Sequence, residues 1–183
     1  MKRLLSKLIF KINGWKIIGV SKYPKKCLVV AAPHTYNWDF FIGRCYAYII
    51  GIQPKYLTKS ELFLPILGAI IKWNGGIPVY RKAKHNVVGQ VVEMINSSND
   101  IIIGIAPEGT RNKVKKWKTG FYHIAVKANV PILLVKIDYK IKEVGTICDF
   151  MPCGDFEKDM LFIEEKFTNV TGKIPEYYNP KIY

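Results

Sequence analysis

The sequence predicts a single α/β domain, with a mostly parallel or mixed central sheet flanked by helices and an amphipathic helix at its N-terminus. Three observations lead there. Two short apolar runs, "CLVVAAP" at 27–33 and "IIIGIAP" at 101–107, are rich in β-branched residues and closed by proline, as strands buried on both faces are. Stretches with helical spacing lie between such runs, and strands alternating with helices argue for a sheet covered on its faces. The chain has 183 residues, enough for one domain to bury a core without disulfide or metal staples.

Taken in order, "MKRLLSKLIFKING" places Leu4, Leu5, Leu8, Ile9 and Ile12 on one helical stripe and Lys2, Arg3, Lys7 and Lys11 on the other side. Such a helix either lies on an anionic membrane surface or packs its stripe on the domain. Lys7 and Lys11 interrupt the apolar stretch and no small-residue cleavage site follows, so the segment reads as part of the working protein rather than a secretory signal. The strand at 27–33 leads to a helix at 38–50, with Asn37 as its cap. "GIPVYR" at 76–81 reads as a strand, and Val87, Val88, Val91, Val92 and Ile95 mark a helix over 84–97. After the strand at 101–107 come a helix at 118–128, a strand at 130–139, a hairpin partner at 142–151 and a last helix at 155–168. The most apolar window, "LFLPILGAII" at 62–71, contains a proline and is about half the length a bilayer-spanning helix needs.

Lys and Arg number 28 against 14 Asp and Glu, a formal charge of +14, which suits phosphates, anionic lipid or nucleic acid. Aromatic and basic residues are not interleaved as in RNA-binding surfaces, so nucleic acid is not expected as a partner. Cys27, Cys45, Cys148 and Cys153 show no CxxC spacing and no companion histidines, which argues against zinc, any other metal site and disulfides.

Chemistry concentrates at strand ends, where ligands bind in sheets of this kind. In "AAPHTYNWDFF", His34 falls just beyond the first buried strand and Asp39 in the first turn of the next helix. A histidine so placed can take a proton from an alcohol while the carboxylate fixes its tautomer; the spacing alone also fits a structural histidine near a capping aspartate. In "APEGTR", Glu108, Gly109, Thr110 and Arg111 leave a strand together. Glycine admits close approach of an anion and arginine matches phosphate oxygens, although a polar turn with paired charges has the same composition. "GGIPVYRK" brings Arg81 toward the same rim, or leaves it as a solvated edge charge. In "WKTGFYHIA", Lys118 and Gly120 precede a helix whose N-terminus can receive the phosphate of a substrate or of a donor. His123 reads as a partly buried structural residue, and Trp38, Trp73 and Trp117 as core residues or the lining of an apolar groove.

The ordered blocks "PHTYNWD", "GGIPVYR", "PEGTR" and "VPILLV" resemble those of the glycerolipid acyltransferases, the lysophospholipid or 1-acylglycerol-3-phosphate acyltransferase family. The resemblance covers residues 27–140. It implies a glycerol-3-phosphate acyltransferase-like fold, with residues 1–14 as the amphipathic helix and 15–183 as the acyltransferase domain. It further implies His34 as general base and Asp39 as its orienter, acceptor binding by Arg81, Glu108, Gly109, Thr110 and Arg111, and a donor-side role for Pro131. The implied reaction moves a fatty acyl group from acyl-CoA or an acyl carrier protein to the hydroxyl of a lysophospholipid, without cofactor, metal or covalent intermediate. It implies a cytoplasmic protein held peripherally at the inner membrane face. Pro33, Tyr36, Pro78, Tyr80, Ala106 and Leu134 depart from residues frequent in the family, which leaves the acceptor open. A lyso-aminolipid is the alternative acceptor, and a non-catalytic basic module binding membrane or nucleic acid is the alternative class.

Overall fold

A computed structural model describes residues 1–19, 22–80 and 87–183. Among these residues seven strands form one sheet: β1 (Lys16–Ile18), β2 (Lys26–Ala32), β3 (Lys55–Lys59), β4 (Gly76–Val79), β5 (Ile101–Ile105), β6 (Ile132–Asp138) and β7 (Glu143–Phe150). The helices are α1 (Lys2–Asn13), α2 (Asn37–Ile50), α3 (Pro65–Trp73), α4 (Val87–Ser97), α5 (Gly120–Ala128) and α6 (Phe156–Phe167). The sheet order is β1-β7-β6-β2-β5-β3-β4. β2 pairs in parallel with β5 and β6, and β6 with β7 is the antiparallel hairpin. The expected mixed α/β architecture is therefore present.

Period-two alternation assigns each strand residue to a face. Leu28, Val30 and Ala32 of β2 join Ile132 and Leu134 of β6 in a core covered by α4, α5 and α6, where Phe121, Met160, Ile163 and Phe167 are buried. The alternate residues, Cys27, Val29, Leu133 and Val135, pack under Phe10 of α1 and Ile42, Cys45, Tyr46 and Ile49 of α2. Both faces are apolar, which is why these strands read as continuous hydrophobic runs. The four cysteines are free, and burial pushes the Cys27 thiol up to about 12.

Several boundaries differ from those the sequence suggests. Asn37 is the first residue of α2 rather than its cap; Tyr36, in extended conformation, takes the cap position, and Asp39 reaches back to its N–H. β4 stops at Val79, and Arg81 lies outside the described residues, as do residues 84–86 of the helix expected over 84–97. β1, β3 and α3 carry no strong sequence signal. β1 is three residues long, "KYLTK" mixes polar and apolar side chains, and α3 hides in the apolar window at 62–71. In α1 the buried residues are Ser6 and Phe10, while Leu4, Leu5, Leu8 and Ile12 are exposed. Of the apolar stripe only Ile9 packs partly against the core, and the helix is held to α2 chiefly through the face of Ser6 and Phe10.

Candidate active site

His34 lies two residues past the carboxyl end of β2, and Asp39 occupies the first turn of α2. The turn between them is held by charge. Asp39 Oδ2 accepts from the backbone N–H groups of Thr35 and Tyr36, both at 2.7 Å, and stands 3.4 Å from His34 Nδ1. Asp39 is buried, and the N-terminal end of the α2 dipole favours its negative charge. Its second oxygen accepts from the Tyr139 hydroxyl at 2.6 Å. Burial, and then the bond to Asp39, hold the Tyr139 phenol well above its ordinary pKa, so it remains a donor. The sequence reading missed Tyr139. Its signal is its place at the end of "VPILLVKIDY", just past the strand beside β2.

Glu108 closes the other side of this turn. It is buried, and its Oε1 accepts from the His34 backbone N–H at 2.9 Å. Three successive N–H groups, of His34, Thr35 and Tyr36, therefore end on two carboxylates. The Glu108 Oε2 is buried without a hydrogen-bond partner among the described residues, and burial raises the carboxyl above its ordinary pKa. This position braces the histidine loop from behind instead of standing open to an acceptor.

The loop after β5 supplies cationic groups. Gly109 has φ +64, and a Cβ there would fall 2.7 Å from Lys118 Nζ and 3.0 Å from its Cδ and Cε. Glycine lets the lysine lie across the turn, a positive φ that side chains resist. The Lys118 N–H donates to the Pro107 carbonyl, and the Thr110 hydroxyl accepts from Asn112 N. The Arg111 guanidinium donates to Asn37 Oδ1, which links this loop to the first turn of α2. Gly120 opens α5, whose cap Thr119 makes no side-chain cap bond.

Segments late in the chain back the same turn. Ile174 N donates to Thr35 Oγ1 at 3.2 Å, and Tyr139 N donates to the Thr171 carbonyl at 2.9 Å. At Gly172 a Cβ would meet Thr35 at 2.8 Å, so only a residue without one fits there unshifted.

His34, Asp39, Glu108, Gly109, Thr110, Arg111, Lys118 and Gly120 thus gather at one end of the sheet. Pro131 does not join them. It precedes β6 and its carbonyl accepts from Leu28 N, at the amino end of the strands; each parallel strand runs about 3.3 Å per residue away from it before reaching the site. His123 is exposed and stacked on Phe156 rather than partly buried. Trp117 belongs to the core, whereas Trp38 and Trp73 are exposed. Among the described residues no cluster of His, Cys, Asp and Glu is suited to a metal ion. A cavity bordered by Tyr23, Lys25, Gln53, Lys55 and Asp100 opens at the opposite end of the sheet from His34.

The model of a family described as acyltransferase matches residues 15–138. The chain belongs to the acyltransferase family. It is 34% identical over 93 residues to the 1-acyl-sn-glycerol-3-phosphate acyltransferase of Haemophilus influenzae, covering 46% of this chain and 38% of the relative. The protein of the same description from Escherichia coli is 33% identical over 92 residues, with the same coverage. The chain thus spans well under half the length of these two relatives in the matched region. Among solved structures, the 1-acyl-sn-glycerophosphate (LPA) acyltransferase PlsC of Thermotoga maritima aligns with TM-score 0.62 and 19% identity, covering 90% of this chain and 74% of that one. That likeness is one of fold. The family resemblance carried by the sequence blocks is borne out.

Proposed function

We propose that the chain transfers a fatty acyl group from an acyl thioester to the hydroxyl of a lysophospholipid of the 1-acylglycerol-3-phosphate type. The observation that carries this reading is the meeting of His34 and Asp39 with the Arg111 and Lys118 loop at one sheet end. The curated relatives bear the name of that reaction.

With Nδ1 turned to Asp39, the His34 Nε2 carries the free lone pair. It takes the proton of the acceptor hydroxyl as the oxygen attacks the thioester carbonyl. The new ester C–O bond forms, the C–S bond breaks, and the imidazolium returns its proton to the departing thiolate. Asp39 stabilises the imidazolium while Tyr139 and two backbone N–H groups keep the carboxylate fixed. General-base help of this kind contributes roughly 10²- to 10⁴-fold. Arg111 and Lys118 supply the charge that receives the acceptor phosphate, with Arg81 a further candidate from the sequence alone. The donor is acyl-CoA or an acyl carrier protein; neither needs a cofactor or metal in this scheme.

Among the described residues no helix is long and apolar enough to cross a membrane. Access to the lipid acceptor is by peripheral association at the inner membrane face, with the exposed apolar stripe of α1 and its Lys2, Arg3, Lys7 and Lys11 on an anionic surface.

The test incubates purified chain with labelled acyl thioester and a panel of lysolipids. Transfer to lysophosphatidate is expected, with His34→Ala slowed at least about 10²-fold while circular dichroism stays unchanged. Transfer to a lyso-aminolipid alone would replace the acceptor, and no transfer to any lysolipid would overturn the reading.

A further inference from the structure

Helix α3 packs little of itself away. Gly68 is its buried residue, while Ile66 (80% exposed), Ile70 (57%), Trp73 (74%) and Leu67 stand in solvent, and Leu62 and Leu64 extend the patch before it. Its fixed point is local: a Cβ on Gly68 would come within 2.7 Å of Phe63 Cα, so the helix rests on its own entry turn. Six large apolar side chains concentrated in one short segment are a surface that soluble proteins keep covered, by a partner or by lipid.

The neighbours decide what covers it. Lys2 Nζ of α1 lies 4.1 Å from the centre of the Trp73 ring and 5.3 Å from that of Tyr48 on α2. The exposed Leu4 and Leu5 of α1 therefore start beside the end of α3. Lys59 and Lys72 flank the patch, Glu61 beside Leu62 accepts from the Ser60 hydroxyl, Lys2, Arg3, Lys7 and Lys11 line α1, and no acidic residue precedes Asp39 in the chain, so the face is net positive. Two copies meeting on this face would oppose like charges, whereas an anionic bilayer supplies both the apolar interior and the counter-charge. α3 also begins after the carboxyl end of β3, the sheet end that carries His34, and Phe40 of α2 packs edge-on against Tyr56 of β3 at 4.8 Å.

We propose that α3, with Leu62 and Leu64 before it, is a second bilayer-inserting element that enters the anionic lipid interface beside α1. Two inserted elements fix an orientation that one helix leaves free to rotate, and they turn the edge bearing His34 toward the lipid. This rests on the reading of the acceptor as a membrane lipid.

The experiment uses the full chain and vesicles of phosphatidylglycerol and phosphatidylcholine, without acyl donor. Lipids brominated on the acyl chain quench tryptophans that enter the interface. Wild-type fluorescence should be quenched on binding and Trp73→Phe markedly less so, while the double variant I66S/I70S should bind vesicles at least about tenfold more weakly with unchanged circular dichroism. Equal quenching in wild type and Trp73→Phe, equal affinity of the double variant, or dimerisation through this face without vesicle binding would overturn the proposal. A chain that inserts but transfers no acyl group sinks the catalytic reading alone. Transfer to a short-chain, water-soluble acceptor without insertion sinks this one alone.

Discussion

Asp39 receives the hydroxyl of Tyr139, two backbone N–H groups and the near side of His34. Removing one donor leaves more of its charge to the imidazole. Tyr139→Phe should therefore keep the fold, at a cost of about 1–3 kcal/mol for a hydrogen bond to a charged group, and move the acid limb of the kcat/KM profile to higher pH. Among the described residues, other charged or titratable groups around this pair include Glu108, Tyr36 and Lys173, whose Nζ lies 5.6 Å from the Tyr139 ring. Lost stability with an unmoved profile would make Tyr139 a packing residue only. Glu108 offers a second test. Because burial raises its proton affinity in the native state, the stability it confers is complete below about pH 4.5, the ordinary value, and is lost as pH rises through the higher native value. Glu108→Gln keeps an oxygen for the His34 N–H and has no such dependence. Its Tm relative to wild type should climb from about pH 4.5 toward neutrality, and a constant difference in thermal melts would refute the buried carboxylate.

Each element at the site does a positional job. β2 ends two residues before His34, α2 begins with the turn that carries Asp39, and β6 delivers Tyr139 from next door. The loop between β5 and α5 carries Arg111 to Asn37 and Lys118 across Gly109. The phosphate clamp proposed for Arg111 acts on binding more than on chemistry. Arg111→Ala should raise the acceptor KM about tenfold or more while kcat falls less, since a charge-assisted pair is worth roughly 1.5–3 kcal/mol. An unchanged acceptor KM in steady-state assays would remove Arg111 from the clamp. Within the core, Leu28→Ala should cost about 2–5 kcal/mol in denaturant unfolding, because the side chain is fully buried between β2 and the α5 layer. A loss below about 1 kcal/mol would mean that the site collapses around the gap.

At the scale of the molecule, a charge of +14 acts together with exposed apolar helices on the α1 and α2 side of the sheet. Binding to anionic vesicles should weaken steeply between about 0.05 and 0.5 M salt, and binding to purely zwitterionic vesicles should be weak throughout. Co-sedimentation measures both, and salt-independent binding would assign the affinity to apolar insertion alone. Much of the fold is legible in the sequence. "CLVVAAP", "IIIGIAP" and "VPILLVKIDY" show their burial on two faces directly, and the helices over 38–50, 118–128 and 155–168 show theirs by spacing. The placement of His34 at a strand end and Asp39 on the following helix was legible for the same reason, since both are local to one strand and the helix after it. Illegible are β1 and β3, whose short edge-ward pairing leaves little pattern, and α3, because an apolar window does not reveal whether its side chains are covered.

The sequence by itself determined the alternation of strands and helices, the placement of His34 and Asp39 on one turn, the cationic loop and the family to which these blocks belong. All of these are set by residues close together in the chain. Tertiary structure alone decided that Tyr139 serves Asp39, that Glu108 braces His34 from a buried position, that Pro131 sits at the wrong end of the sheet, and that the apolar faces of α1 and α3 point outward. Each of those depends on which strands become neighbours and which helix face finds the core. Short-range patterning does not encode that choice, because an apolar stripe looks the same whether it meets protein or lipid.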